Sequence, residues 1–382
     1  MINVAIIDTK VIFPRKNKKK GIGVFHYTVK HSKVYKKHLT YFYNKYINGI
    51  NHGRLCFEIF TQYASAEHYN VHCLEVLEEK SNRANIEQLE IALSWCLDND
   101  IKLVCLSLGS RDFRDCEMLH KVITELHINN VIVVAAFNNS NTLTFPATFP
   151  SVIGVRCDLS NILSKGEYIC VKDNLIGIDI ISSCIFEEIE ECLKVKIGKY
   201  NSYATPYIAA KVFNAIVAGN NTLNEIDNYL VQFGSKYDIE LFSTDETVST
   251  DLVNQMPIIG VDSSVLQKNP EYIEELVDSF QKKDFYAIGL VNKVNKSTFI
   301  FPICKLHNAI KEDTFAVIKN ALNYVTPDLI ILEIADNTEE WLINELIDIC
   351  ISYEINQETF MIKWKGKINI DSFSTSLIGI LK

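Results

Sequence analysis

The chain has 382 residues, of which 48% are hydrophobic and 22% charged, the composition of a globular protein long enough for two domains. Its net charge of -9 excludes the basic excess of a nucleic-acid binder, and no run of about 18 apolar residues marks a membrane span. The 11 cysteines are odd in number, scattered and without a Cys-x-x-Cys pair, so they read as reduced buried thiols of a cytoplasmic protein rather than a disulfide framework.

The first expected strand is Val4–Ile7, an apolar run ending in Asp8 and Thr9. It starts so close to the first residue that no signal peptide or propeptide is expected ahead of it. The basic run Arg15-Lys16-Asn17-Lys18-Lys19-Lys20 reads as a solvated loop, with a rim attracting acidic peptides as the alternative. Asn51-His52-Gly53 opens a mixed segment running to Phe60. Next come a strand at Val71–Leu77, a helix at Ile86–Asn99, a strand at Leu103–Leu106 leading into Ser107-Leu108-Gly109, and a helix at Cys116–Leu126. Val131–Ala135 is a buried strand leading through Ala136 and Phe137 to an amide, Asn138, and Val152–Val155 is another strand. His68 and His72 are four apart, beside Glu67 and Cys73, a spacing that would suit a metal on a helix; there is no His-Glu-x-x-His pattern, and no metal is assigned. Leu175–Ile181 is strand-like, and the acidic stretch Glu187–Glu191 reads as a solvated helix face.

Asn201-Ser202-Tyr203-Ala204-Thr205-Pro206 precedes an apolar helical run, Tyr207 to Val217. Proline is tolerated in a first helical turn, which places Ser202 at a helix N-terminus. The unpaired N–H groups there favour developing negative charge, although a serine before a helix is by itself only a cap. An acid, a histidine, an amide and a serine thus occur in that order, each at the end of a regular element, and that is the set a serine hydrolase needs.

This order resembles that of the subtilisin-like serine proteases over roughly residues 1–220. The strand ending in Asp8, His52-Gly53, Ser107-Leu108-Gly109, Ala135-Ala136-Phe137-Asn138 and Ser202-Tyr203-Ala204-Thr205-Pro206 match the family's motifs in the family's order. The resemblance implies Ser202 as nucleophile, His52 as general base, Asp8 as the group orienting the imidazole, and Asn138 as oxyanion donor beside the Ser202 backbone N–H. Asn139 follows Asn138, and the register between the two rests on Ala135-Ala136 alone. It also implies a substrate cleft formed by Ser107, Leu108, Gly109, Ala135, Ala136 and Phe137. The sequence departs from the family at Phe137 and Tyr200, where the family has glycine, at Asn201, where it has threonine, and at Arg54, Phe57 and Glu58 after the histidine. Phe137 is expected to shrink the pocket for the residue before the scissile bond, and Tyr200 to crowd the cleft.

Strands alternating with helices indicate an α/β fold, a parallel sheet with helices on both faces. A polar stretch near Ser235–Gln255 suggests residues 1–235 as a peptidase domain, 236–255 as a linker and 256–382 as a smaller α/β domain. Its expected strands are Pro257–Val261, Tyr286–Val291, Leu329–Ile334 and Phe360–Trp364, with helices at Glu271–Gln281, Thr314–Tyr324 and Glu339–Ile349. Val261–Asn269 sits where a P-loop would lie but lacks its glycines and Gly-Lys-Ser/Thr, so a docking or dimerisation role is preferred to nucleotide binding. Asp262, Glu333 and Asp336 are its only polar cluster at strand ends, read as loop caps. The expectation is a cytoplasmic serine endopeptidase without cofactor, acting on a specific peptide or precursor such as a leader peptide. The alternative is a non-catalytic relative that binds peptides as a partner protein.

Overall fold

The computed structural model describes residues 1–11, 21–30, 32–37, 50–77, 85–140, 142–171, 177–237, 255–292, 299–302, 314–334, 346–354 and 359–364. The basic run at 15–20, residues 238–254 of the expected linker, and Asp336 lie outside the described residues. The chain divides into two compact units, Met1–Thr244 and Asp245–Lys382.

The first unit is built on β1 (Ile2–Thr9), β2 (Ile22–Lys30), β3 (Lys33–Lys37), α1 (His52–Tyr63), β4 (Tyr69–Leu77), α2 (Ile86–Asp98), β5 (Ile101–Leu106), α3 (Cys116–Ile128), β6 (Ile132–Ala136), β7 (Val152–Cys157), β8 (Tyr168–Cys170), β9 (Ile180–Ser182), α4 (Glu187–Leu193), α5 (Asn201–Val217) and α6 (Leu223–Phe233). Its nine-stranded sheet has the order β3-β2-β4-β1-β5-β6-β7-β9-β8. Strands pair in parallel except at the two edges, β2 with β3 and β8 with β9. Strands buried on both faces read as continuous apolar runs, and Val4, Ala5, Ile6 and Ile7 in β1 are all essentially inaccessible.

β1 is central because β4 pairs on one side of it and β5 on the other, so the strand order reverses at its carboxyl end. Open α/β sheets bind their ligands at such a reversal. Asp8, near the end of β1, lies there. The helix α5 packs across β5, β6 and β7 and against α1. It does so through Ala204, Ile208, Ala209, Val212 and Ala215, all fully buried, whose small members let the helix approach the sheet closely. Phe213 and Phe60 meet edge-to-face at 5.7 Å and tie α5 to α1. Among the described residues no helix is long and apolar enough to cross a membrane.

The second unit has a six-stranded sheet. Its strands, continuing the numbering, are β10 (Ile258–Asp262), β11 (Ala287–Val291), β12 (Ile300–Pro302), β13 (Leu329–Ile334), β14 (Ile349–Glu354) and β15 (Thr359–Trp364), in the order β12-β11-β13-β10-β14-β15. Only the β14–β15 pair is antiparallel. Helix Tyr272–Gln281 buries Ile273, Leu276, Val277 and Phe280, one stripe at 3.6-residue spacing. The segment after β10 is a short helix, Ser263–Lys268, whose first turn is capped by Asp262. The helix expected over Glu339–Ile349 falls mostly outside the described residues, and its last residue, Ile349, opens β14 instead. Ile349 and Ile351 there are buried and Cys350 and Ser352 are not, a two-residue alternation that belongs to a strand.

Candidate active site

Three elements bring Asp8, His52 and Ser202 together. Asp8 ends the apolar run of β1 and is fully buried. Its Oδ1 accepts from the Thr9 backbone N–H at 2.6 Å. His52 is the first residue of α1, a full helix where the sequence suggested only a mixed segment. Asn51 caps that helix, its Oδ1 accepting from the Arg54 N–H at 3.2 Å. Gly53 is required because the helix start lies against β1: a Cβ at residue 53 would fall 2.4 Å from the Thr9 carbonyl oxygen. The Gly53 N–H donates to Thr9 Oγ1 at 2.8 Å, which pins His52 beside Asp8. Arg54 and Glu58, two departures from the family pattern, pair with each other at 3.1 Å one turn apart.

His52 Nδ1 lies 2.8 Å from Asp8 Oδ1 and 2.9 Å from Oδ2, and His52 Nε2 lies 2.8 Å from Ser202 Oγ. A carboxylate only accepts, so Nδ1 carries the proton toward Asp8 and Nε2 is the acceptor for the serine hydroxyl. Burial works against the imidazolium, while the neighbouring Cys56 and Asp8 work for it, and the net direction is upward from 6.5. Burial and Asp8 push the Cys56 thiol itself up to about 12, so near neutrality it is uncharged and Asp8 is the group that holds the imidazole up. Asp8, His52 and Cys56 are also the one His/Cys/Asp/Glu group compact enough for a metal ion among the described residues, with donor atoms within 4.8 Å. The Asp8–His52 hydrogen bonds already occupy that space. His72 is in β4, stacked on Phe25 at 5.0 Å and near Trp95.

Ser202 is the second residue of α5. No hydrogen bond from its backbone N–H is formed among the described residues, as expected in a first helical turn. The turn before it is held by Asn201, a departure from the family pattern whose part in the site the sequence did not reveal. Asn201 is 1% exposed. Its Nδ2 donates to the Asn138 carbonyl at 2.7 Å, and its Oδ1 accepts from the Cys157 N–H at 2.8 Å. The turn that carries Ser202 is thereby tied to the ends of both β6 and β7.

A cleft of about 510 Å³ opens on His52 and Ser202 and is lined by Ser107, Leu108, Gly109, Ala136, Phe137, Asn138, Asn139 and Thr144, among others. Ala135, expected in this set, is fully buried within β6, paired with Leu106 and Gly154. Phe137 is 2% exposed; its ring leans on Gly154, where a Cβ would lie 2.7 Å from Cε2. Tyr200 is half exposed, with its ring over Gly198 and edge-on to Tyr203. Ser110 and Phe145 exchange two backbone hydrogen bonds of 2.8 Å, and a Cβ on Gly109 would meet Thr144 Cγ2 at 2.8 Å.

The two asparagines differ in what they hold. Asn138 Nδ2 donates to Thr142 Oγ1 at 2.5 Å and Thr144 Oγ1 at 3.0 Å, and its Oδ1 accepts from the N–H groups of Ser140 and Thr142. Its amide is committed to its own loop. Asn139 Oδ1 accepts from the Asn201 N–H at 3.1 Å. That bond fixes which end of the Asn139 amide is oxygen, and leaves Nδ2 unengaged among the described residues.

No protein-family model matches the chain, and no curated protein does. Solved structures do. The chain is similar to the prenylagaramide maturation protease PagA at 16% identity, covering 64% of this chain and 86% of that one, with a TM-score of 0.43. It is similar to the nisin leader peptidase NisP from Lactococcus lactis at 15% identity, covering 62% and 83%, with a TM-score of 0.41. A cold-adapted subtilisin-like serine proteinase gives 17% identity, 60% and 81% coverage, and a TM-score of 0.42. At such identities and TM-scores these likenesses carry no weight for activity. The neighbours named are subtilisin-like proteases.

Proposed function

We propose that the protein is a serine endopeptidase that cleaves a specific peptide or precursor through an acyl-enzyme. The observation that carries this reading is the unbroken chain of hydrogen bonds from Asp8 through His52 to Ser202. His52 Nε2 takes the proton of Ser202 Oγ as the oxygen adds to a carbonyl carbon. Asp8, buried and acceptor-only, holds the imidazole in the required tautomer and offsets the charge it gains. The Ser202 N–H receives the oxyanion. The second donor belongs to the Asn138–Asn139 pair. Asn138 fits the family register, but the Asn139 Nδ2 is the unengaged one, and we assign the role to Asn139. His52 then returns the proton to the leaving amine, and water repeats the sequence on the ester.

Phe137, which lines the cleft where the family has glycine, favours a small residue before the scissile bond. With that restriction, a leader or precursor peptide is the substrate class that fits, and the second unit serves to recruit it or to dimerise. Buried free thiols such as Cys56, Cys73, Cys96 and Cys105 fit a reducing compartment, and we place the protein in the cytoplasm. The non-catalytic alternative was motivated by the rings at 137 and 200; both turn onto glycines, which favours catalysis.

The test is labelling of the purified protein by a fluorophosphonate, beside Ser202→Ala and His52→Ala. Labelling of the wild type that is lost in both variants is expected, with a drop of about 10²–10³ in Asn139→Ala and little change in Asn138→Ala. A folded wild type that does not label overturns the hydrolase reading.

A further inference from the structure

Both nitrogens of the His52 imidazole are engaged, Nδ1 by Asp8 and Nε2 by Ser202. Its faces remain, and Tyr203 covers one of them. The ring centroids are 4.9 Å apart and the planes 28° from parallel. Successive residues of a helix point about 100° apart. Ser202 therefore meets the edge of the imidazole, and the longer side chain of the next residue reaches round to its face. Tyr203 is held there by its place in α5 and by Tyr200, which meets it edge-on at 6.0 Å.

A cation within about 6 Å of an aromatic centroid is attracted by the negative face of the ring. The imidazole becomes such a cation when it takes the serine proton, which on the reading above is the step leading to the acyl-enzyme. We propose that Tyr203 is a positioning residue for the general base: its ring keeps the imidazole plane aligned between Asp8 and Ser202 and favours the protonated imidazole. This rests on the proposed hydrolase reading for its purpose, though not for its geometry. The titratable groups facing His52 are Asp8 from β1, Cys56 from α1 itself, and Ser202 and Tyr203 from α5, with Cys105 of β5 behind Cys56. Burial pushes the Tyr203 hydroxyl and the Cys56 thiol up to about 12 each, and Asp8 is the charged group that hydrogen-bonds the imidazole.

The experiment uses the full chain with isotope-labelled histidine. The His52 titration is followed by NMR in the wild type, Tyr203→Phe, Tyr203→Leu and Tyr203→Trp, and the acid limb of fluorophosphonate labelling is measured in each. The base acts when unprotonated, so labelling rises with pH through the His52 pKa. Tyr203→Leu is expected to lower that pKa by about 0.5 to 1 unit and to move the limb to lower pH by the same amount. Tyr203→Phe, which keeps the face, stays at the wild-type value, and Tyr203→Trp moves the other way. If the leucine variant does not fold, the opposite shift in the tryptophan variant carries the test. An unchanged His52 pKa in folded Leu and Trp variants overturns the proposal, as does a shift in Phe equal to that in Leu, which would assign the effect to the hydroxyl. A pKa shift without any wild-type labelling upholds the stack and overturns the hydrolase reading.

Discussion

Asn201→Ala is the substitution whose outcome the structure constrains most tightly. The amide makes two hydrogen bonds with opposite chemistry, giving to the part-buried Asn138 carbonyl at 2.7 Å and accepting from the buried Cys157 N–H at 2.8 Å. Truncation loses both and strands a buried donor at the end of β7 and an acceptor at the end of β6. A stranded buried polar partner costs about 1–3 kcal/mol. The Asn138 carbonyl adjoins the cleft and can be rewetted, so it falls at the low end of that range; the Cys157 N–H, under a fully buried residue, falls at the high end. The expected loss is about 2–5 kcal/mol, read as a lower urea midpoint with an unchanged slope. The chemical effect is separate. Asn201 immediately precedes Ser202, and displacing a nucleophile by about 1 Å costs around 10² in rate. Fluorophosphonate labelling of the fraction still folded should fall by that order. Asn201→Asp keeps an acceptor for Cys157 but sets a carboxylate oxygen against the Asn138 carbonyl, and it should be impaired as well. A loss below about 1 kcal/mol with labelling at the wild-type rate would refute the claim that this amide holds the nucleophile turn.

Two further predictions concern buried titratable groups. Burial, with a contribution from the Asp227 charge, raises Asp179 to about 7 even though its Oδ2 accepts from the Gly154 N–H at 2.7 Å. An acid raised in the folded state gives stability that is lost as pH rises from its unfolded value near 4 to about 7. Asp179→Asn, which keeps the acceptor, should therefore stabilise by up to about 4 kcal/mol at pH 8 and by little at pH 4; equal melting shifts at both would rule this out. His26 in β2 is lowered to about 4 by burial and by the charges of Lys37 and Lys10. The unfolded chain takes up its proton near pH 6.5, so stability falls as pH drops from there toward 4, by up to about 3 kcal/mol. In His26→Leu that part of the acid dependence should disappear, and a melting profile against pH parallel to that of the wild type would contradict it.

The reaction centre was more legible in the sequence than its supports, and the difference has a physical basis. Asp8, His52 and Ser202 stand at the ends of elements whose periodicity shows in a single segment: an apolar run before an acid, and a serine ahead of an apolar helical run. The proline expected in the first turn of that helix lies one turn further in, because α5 already starts at Asn201. What holds them does not show, because each support is a contact between segments far apart in sequence. Thr9 takes the Gly53 N–H across 44 positions, and Asn201 takes the Cys157 N–H across another 44. The alternation in β2, where His26 and Thr28 are buried beside half-exposed Tyr27, was present but masked by the basic run before it. Where the rings of Phe137 and Tyr200 come to lie is set in the same way, by Gly154 on the neighbouring strand and by Gly198 two residues before Tyr200. The adjacent pair Asn138 and Asn139 is the sharpest case. Composition, spacing and family register cannot separate two neighbouring asparagines. What separates them is that one amide is consumed by Thr142 and Thr144 while the other is oriented by the N–H of the residue before the nucleophile. Sequence motifs thus supply the candidate reacting groups, and the hydrogen bonds between motifs decide which of two identical side chains keeps an unengaged donor.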